Sequence, residues 1–205
     1  MASENKLGME NAAELARAEE KISKTKALEL FETGRLNTFS VGTFADLARI
    51  HGFLFGEIYD FADKIREVNI AKGNFRFASV MYLEAALKHI DEMPQSTFEE
   101  IVEKYVEMNV AHPLREGNGR STRIWLDMIF KKELRQVVDW SKVDKEGYLL
   151  AMERSPVKDV EIKALLKAAL TDRIDDREVY MKGIDASYHY EGYHLYKMGD
   201  IDSCN

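Results

Sequence analysis

The sequence predicts an all-α domain carrying one small β-hairpin, and three features of the chain predict it. Seven stretches between Ser3 and Leu170 place apolar residues at helical spacing. Pro94, Pro113 and Pro156 each stand just past such a stretch, where the residue before a proline is driven out of the αR region. Ile65 to Phe77 alternates instead, around Lys72-Gly73-Asn74, and Gly-Asn between short β-favouring runs is a hairpin signal.

The elements follow in order. Ser3 to Thr33 is rich in Ala, Glu and Lys, with Leu15, Ile22, Leu28, Leu30 and Phe31 as its apolar positions and Gly34 as its stop, so it reads as helix. Thr43 opens a second helix, because Asp46 three residues on completes a capping box, and Phe44, Leu47, Ile50 and Leu54 bury its face through Phe55. His51 on this helix reads as a structural or surface histidine. The hairpin at 65–77 is, on its pattern alone, compatible with an ordinary connecting turn. Ser79 to Met93 is helix, and Thr97 with Glu100 forms another capping box for a helix whose core face is Ile101, Val102, Tyr105 and Met108. A helix follows Gly119 as RSTRIWLDMIFKKEL, buried through Ile124, Trp125, Met128 and Ile129. Asp144 to Ser155 and Lys158 to Leu170 complete the periodic runs.

Chemistry concentrates between Ala111 and Arg123, AHPLREGNGRSTR. His112-Pro113 ends one helix, which predicts an exposed histidine at a helix C-terminus, and the glycine-rich turn opens directly into the next helix N-terminus. Unpartnered N–H groups and the macrodipole there favour an anion. Gly117 and Gly119 can take positive φ, and Asn118 between them tolerates αL, so a phosphate cradle is predicted. Arg120 and Arg123, three apart, share a face and can clamp successive phosphates. Glu116 offers hard oxygen to Mg²⁺, which takes one or two carboxylates plus substrate phosphates, and His112 can accept a proton near neutral pH. No Walker pattern G-x-x-x-x-G-K-[ST] is present. These are parts for nucleotide-dependent group transfer.

Composition bounds the rest. The chain of 205 residues, 45% hydrophobic, is long enough for one domain with a sizeable core. A formal net charge of −7 argues against nucleic acid or an anionic membrane as partner. No run approaches the length of a membrane span and MASENKLGMENAAELA has no signal-peptide core, while Cys204 as the single cysteine permits no intrachain disulfide, so a cytoplasmic location is expected.

His112 to Arg123 resembles the Fic-family signature H-P-F-x-[DE]-G-N-G-R-x-x-R, with Leu114 at the phenylalanine position. The resemblance implies a Fic/Fido helical bundle with a β-hairpin flap, and transfer of AMP from ATP to a protein Ser, Thr or Tyr hydroxyl with release of pyrophosphate. It assigns His112 as the base and Glu116 as the holder of Mg²⁺, or of Mn²⁺ in its place. Gly117, Asn118, Gly119 and the backbone amides would hold the α- and β-phosphates, and Arg120 and Arg123 would neutralise charge, with Arg123 reaching the γ-phosphate. Family members that phosphorylate carry lysine where Gly119 stands, so Gly119 favours AMP transfer. The hairpin becomes a flap, with Ile70, Lys72, Gly73, Asn74 and Phe75 offering an edge to the target backbone. The family's adenine pocket lies near Tyr148 and Met152, which are pocket walls or simple packing.

Near the C-terminus, Ser187-Tyr188-His189-Tyr190-Glu191-Gly192 resembles [ST]-x-x-x-E-[GN], the inhibitory helix of single-domain Fic proteins. Ser187, Glu191 and Gly192 would form the inhibitory element, with Glu191 against Arg123 in the γ-phosphate position. The same glutamate in some relatives activates water to remove AMP, so a bifunctional or predominantly de-AMPylating enzyme is an alternative, and a non-catalytic nucleotide-sensing module is another. Tyr188, Tyr190, Tyr193 and Tyr196 are either self-modification sites or an aromatic packing stripe. A homo-oligomer is an expected partner state. The division that follows is 1–40 as N-terminal helix and connection, 41–175 as Fic core with flap 65–77 and motif 112–123, and 176–205 as inhibitory region and tail.

Overall fold

The structure, a computed structural model, describes residues 2–73 and 75–202. Its helices are α1 (Ala12–Glu32), α2 (Phe44–Phe55), α3 (Val80–Glu92), α4 (Phe98–Ala111), α5 (Asn118–Leu134), α6 (Lys145–Arg154), α7 (Val160–Ala169), α8 (Arg177–Tyr190) and the short α9 (Met198–Asp202). Two antiparallel pairs complete it: the hairpin β1 (Ala71–Lys72) with β2 (Phe75–Arg76), and β3 (Val137–Val138) with β4 (Leu170–Thr171). Among the described residues no helix is long and apolar enough to cross a membrane.

The central element is α5. Trp125, Leu126, Ile129 and Phe130 are fully buried, and the helix packs against α2, α4 and α8 at once. Trp125 donates to the Thr43 carbonyl at 2.9 Å, tying α5 to the start of α2. Both predicted capping boxes are present: the Thr43 hydroxyl accepts from Asp46 N and the Thr97 hydroxyl from Glu100 N, each at 3.3 Å, while each acid side chain accepts from its cap backbone. The hairpin pairs Lys72 with Phe75, as its Gly-Asn signal predicts, although Asn74 lies outside the described residues.

The first helix begins later than predicted. Residues from Ser3 to Glu10 are not helical, because the Asn5 side chain closes a local loop with Ser3 O, Met9 O and Met9 N, and Gly8 takes φ 67°. Asn11 then caps α1 by accepting from Ala13 N and Glu14 N.

At its other end the chain returns to α1. Buried Lys24 donates to Asp185 Oδ1 at 2.9 Å and to the Tyr196 carbonyl, and lies 3.3 Å from Glu20. Glu20 accepts from Leu195 N and Tyr196 N, and Asp185 from Met198 N. These bonds fix α8 and the segment after it against α1.

His51 is structural, and it supports the motif. Its ring is fully buried, with Nε2 2.8 Å from the Glu116 carbonyl and Nδ1 accepting from Asp63 N at 3.0 Å, so both nitrogens are committed as the neutral tautomer. Burial holds its pKa down at about 4. A folded pKa below the unfolded value of about 6.5 means that the unfolded chain binds the extra proton between those values, so stability falls as pH drops from 6.5 towards 4. We expect His51 alone to cost roughly 2–3 kcal/mol of stability between pH 7.5 and 4.5. Urea unfolding of wild type and His51→Gln at both values checks this, the variant losing less on acidification; equal losses would contradict it.

Candidate active site

The loop between α4 and α5 is built by side chains that bond to backbone. His112 is the C-cap of α4 and takes φ 46°, an αL conformation uncommon for a residue with a Cβ. Buried Arg66 holds it there: its guanidinium donates to the carbonyls of His112 at 2.7 Å, Val68 at 2.6 Å, Ala111 at 3.1 Å and Ala78, and Arg66 N donates to Pro113 O. One side chain thus ties the base of the hairpin to the end of α4. Leu114, at the phenylalanine position of the signature, is fully buried and anchors the loop in the core.

Asn118 does not take the αL conformation its neighbours suggested. It is the first residue of α5, and only Gly117, the N-cap, has positive φ, at 68°. A Cβ on Gly117 would stand 2.6 Å from the Phe55 ring, so glycine is required there twice over. The Asn118 side chain closes the loop, accepting from Leu114 N at 2.8 Å and donating to Leu114 O at 2.5 Å. Its role is therefore loop shape, and what it offers a ligand is backbone. The first helical bond of α5 runs from Ser121 N to Gly117 O, so the amides of Asn118, Gly119 and Arg120 lie at the helix's positive end.

Arg120 and Arg123 share a face, as their spacing predicts, and the structure brings them onto one carboxylate. Glu191 Oε1 accepts from Arg123 Nη2 at 2.7 Å and Oε2 from Arg120 Nε at 3.1 Å. Burial would raise the Glu191 pKa, but Arg120 and Arg123 outweigh it and hold the carboxyl below its ordinary value, so it is ionised at neutral pH. Arg123 further donates to the Ser187 hydroxyl at 2.7 Å, the Ser187 carbonyl at 2.9 Å and the Tyr148 hydroxyl at 3.2 Å. Gly119 faces the same carboxylate so closely that a Cβ there would lie 2.2 Å from Glu191 Oε1. Gly192 ends α8: at φ 91° it lets Gly192 N bond His189 O and Tyr193 N bond Tyr188 O, a Schellman turn that sets Glu191 at the helix C-cap.

Four residues that sequence reasoning missed complete the site. Glu19 of α1 accepts from Arg120 Nη1 at 2.6 Å, from the Tyr193 hydroxyl at 2.6 Å and from the Tyr59 hydroxyl. Phe77, next to the hairpin, stacks on the His112 imidazole with centroids 3.7 Å apart at 15°. Arg66 and Tyr59 carried no local signal, because their partners are distant in sequence. His112 itself is half-buried, not exposed as predicted, since Phe77 covers its ring. Burial lowers its pKa to about 4, with Glu191 opposing and Arg66 and Lys72 assisting, so its imidazole is neutral at pH 7.

The remaining predicted residues fall as follows. Glu116 is exposed, with the Ser3 hydroxyl at 3.4 Å, and burial of its carboxyl together with Glu19 raises its pKa. Lys72 and Gly73 are exposed and Ile70 and Phe75 half-buried on the hairpin. Tyr148 and Met152 are buried in the core. Tyr148 stacks on Tyr190 at 4.9 Å, shares a hydrogen bond with Tyr105 at 2.5 Å and accepts from Arg123 Nη1 at 3.2 Å. Of the C-terminal tyrosines, Tyr188 donates to Ser23 Oγ at 2.7 Å, and Tyr190 donates to the carbonyls of Val143 at 2.7 Å and Trp140 at 3.0 Å. Both are buried, and with Tyr193 bound to Glu19 the stripe is packing in this arrangement.

Residues 42–130 match the Fic/DOC family. That segment of the chain is similar to Fic/DOC domains. The Fic/DOC match begins just before α2 and ends within α5, spanning hairpin and motif. The chain is 29% identical over 187 residues to "Protein adenylyltransferase VbhT" of Bartonella schoenbuchensis, covering 85% of this chain but only 38% of that relative's length. It is 28% identical over 180 residues to "Probable protein adenylyltransferase Fic" of Salmonella typhimurium, covering 82% of this chain and 87% of the relative. In fold it is similar to the Bartonella tribocorum BepC protein, a structure with bound AMPPNP, at TM-score 0.65 and 17% identity, covering 82% of this chain and 91% of that one. The Fido fold of helices with a small two-stranded sheet is thus shared with that structure.

Arg66 gives the motif loop a checkable dependence. Removing it strands several buried carbonyls at once, and Arg66→Ala should lower unfolding free energy by about 3 kcal/mol or more. Arg66→Lys, which keeps the charge but not the fork, should recover part of this. Urea unfolding reads both; a loss below about 1 kcal/mol for the alanine variant would mean that the loop does not depend on Arg66.

Proposed function

We propose that the chain is a protein adenylyltransferase restrained by its own C-terminal helix. The observation that carries this reading is Glu191 neutralising both Arg120 and Arg123 beside the N-terminus of α5. With Glu19 also on Arg120, the buried cluster of two cations and two carboxylates is neutral. Displacement of Glu191 would leave a surplus positive charge among free amides, a setting that takes phosphate. ATP is the substrate whose triphosphate matches it, in line with the names of the relatives. Its γ-phosphate and the Glu191 carboxylate compete for Arg123, and a triphosphate displaced from that contact lies out of line for attack, where about 1 Å can cost on the order of 10²-fold in rate.

His112 supplies the base. Its imidazole, neutral at pH 7 because burial depresses its pKa, accepts the proton of a target Ser, Thr or Tyr hydroxyl. The hydroxyl oxygen forms a bond to the α-phosphorus as the bond from that phosphorus to the bridging oxygen breaks, and pyrophosphate leaves. The α5 amides and Arg120 would receive the charge that develops, with Gly119 permitting close approach. The hairpin edge beside Phe77 would hold the target backbone.

The donor set also fits a divalent ion. Among the described residues no group of three or more His, Cys, Asp or Glu could cage a metal, and Glu116 stands as a lone exposed carboxylate with a raised pKa next to the cradle. Mg²⁺ held largely by phosphates and water asks for one such ligand, and Mn²⁺ would suit it too. When bound, the ion would offset phosphate charge.

The experiment is incubation of purified chain with labelled ATP and Mg²⁺, read as AMP on protein by mass spectrometry. Glu191→Gly should raise incorporation at least tenfold over wild type, and no gain would refute the restraint. His112→Ala should abolish incorporation in the Glu191→Gly background while ATP affinity stays within a few-fold. Incorporation that persists would remove His112 from the role of base. Nucleotide binding with no incorporation in any variant would favour a non-catalytic sensor.

A further inference from the structure

A cavity of about 350 Å³ lies between α5 and α8, with Arg123 and Ser187 in its lining. That volume falls at the small end of ligand pockets. Its wall is apolar, formed by Phe39, Ile124, Met128, Val138, Trp140 and Ile184. Its mouth is cationic: Lys131, Lys132, Arg135 and Arg173 all line it, in a chain whose formal net charge is −7. Lys131 pairs with Asp175, and Arg173 with Asp176 and Glu178. Lys132 and Arg135 are exposed with no carboxylate partner among the described residues. The two carboxylates within the lining do little to oppose an anion. Asp176 is taken by Arg173, and Asp127 accepts from Val138 N and Trp140 Nε1 at 2.8 Å each.

We propose that this cavity binds a small amphipathic organic acid, its apolar body against Trp140, Met128 and Ile184 and its carboxylate at Lys132 and Arg135. An apolar wall of this extent would gain from an occupant's burial, and two unopposed cations at the opening select negative charge. Neither a fully apolar compound nor a free inorganic anion uses both features.

The position of the cavity fixes the sign of its effect. α8 contributes Val179, Gly183, Ile184 and Ser187, one helical face, while α5 contributes the opposite wall, including Arg123. The cavity therefore exists only while α8 is docked. A ligand that binds one state stabilises that state by linkage, so occupancy holds α8 in place and with it Ser187 and Glu191 on Arg123. Occupancy accordingly strengthens the restraint, and ATP and the acid oppose each other. This regulatory half rests on the adenylyltransferase reading; the binding half does not.

The probe is 4-phenylbutyrate, with 4-phenylbutan-1-ol as the uncharged isostere, measured by calorimetric titration and thermal unfolding of the full chain. Binding should be saturable with one site, and Tm should rise by about 5–10 °C at a probe concentration near 100-fold above Kd. The alcohol should bind at least tenfold more weakly. Lys132→Glu with Arg135→Glu, both on the exposed mouth, should weaken the acid at least tenfold with basal Tm and basal AMP transfer unchanged. Ile184→Trp should fill the cavity and abolish binding. Absence of saturable binding, equal affinity for acid and alcohol, or indifference to the double charge reversal would each overturn the site. Binding that holds while AMP transfer by wild type rises would overturn the sign. Binding that holds with no AMP transfer in any variant would instead count against the adenylyltransferase reading and leave the site standing.

Discussion

Two buried guanidiniums on one face of α5 are the constraint that organises this molecule. Arg120 and Arg123 are each nearly inaccessible to water, and an unpaired charge in such a place costs several kcal/mol. The chain meets that cost with a carboxylate from each side: Glu19 from α1 and Glu191 from the end of α8. Aromatic faces complete the enclosure, with Phe55, Tyr188 and Tyr193 within 5.2 Å of the Arg120 guanidinium. Both terminal helices are thus recruited by a demand that originates in the centre of the fold, and the Lys24 cluster that binds α1 to the chain after α8 keeps both in place.

Around this cluster the motif loop is made rigid by side chain to backbone bonds, not by regular secondary structure. Arg66 gathers carbonyls from the hairpin base and the end of α4, Asn118 closes on Leu114, and His51 carries Glu116 O. Each bond satisfies a backbone group that an irregular loop would otherwise leave unpaired, and together they hold His112 in a left-handed conformation that a free chain seldom visits. Groups aimed in advance at a developing charge need no reorganisation when it appears, which is what such a loop would offer a phosphoryl centre in the proposed function.

What could be read from the sequence was what is encoded within a few residues. Both capping boxes, the proline stops and the Gly-Asn hairpin act locally, and all appear at their expected places. The twelve-residue signature carried its own geometry in Gly117 and its own pair of arginines. The start of α1 was misplaced because Asn5 and Gly8 compete with a helix that composition alone favours, and side-chain loop closure won. The pairing of Val137–Val138 with Leu170–Thr171 joins two strands of two residues each across α6 and α7, too little strand for alternation to register. Glu19 and Arg66 were invisible for a further reason: the partners that tie them to the motif, Arg120 and His112, lie 101 and 46 residues away, and a glutamate in an Ala-Glu-Lys helix looks like a solvated face.

The two carboxylates of the cluster are not equivalent, and that asymmetry decides which can yield to a ligand. Glu19 has 4% of its side chain accessible and serves three donors, so displacing it would strand the hydroxyls of Tyr59 and Tyr193 as well as Arg120. Glu191 has 19% accessible, bonds only to the two arginines, and stands at a helix C-cap beyond the last full turn. When it leaves, the groups it abandons are the two guanidiniums, and a phosphate can satisfy those with oxygens of the same charge and reach. The more firmly held carboxylate therefore comes from α1 and the less firmly held one from α8, so in the proposed function competition at this cluster falls on the glutamate that α8 carries.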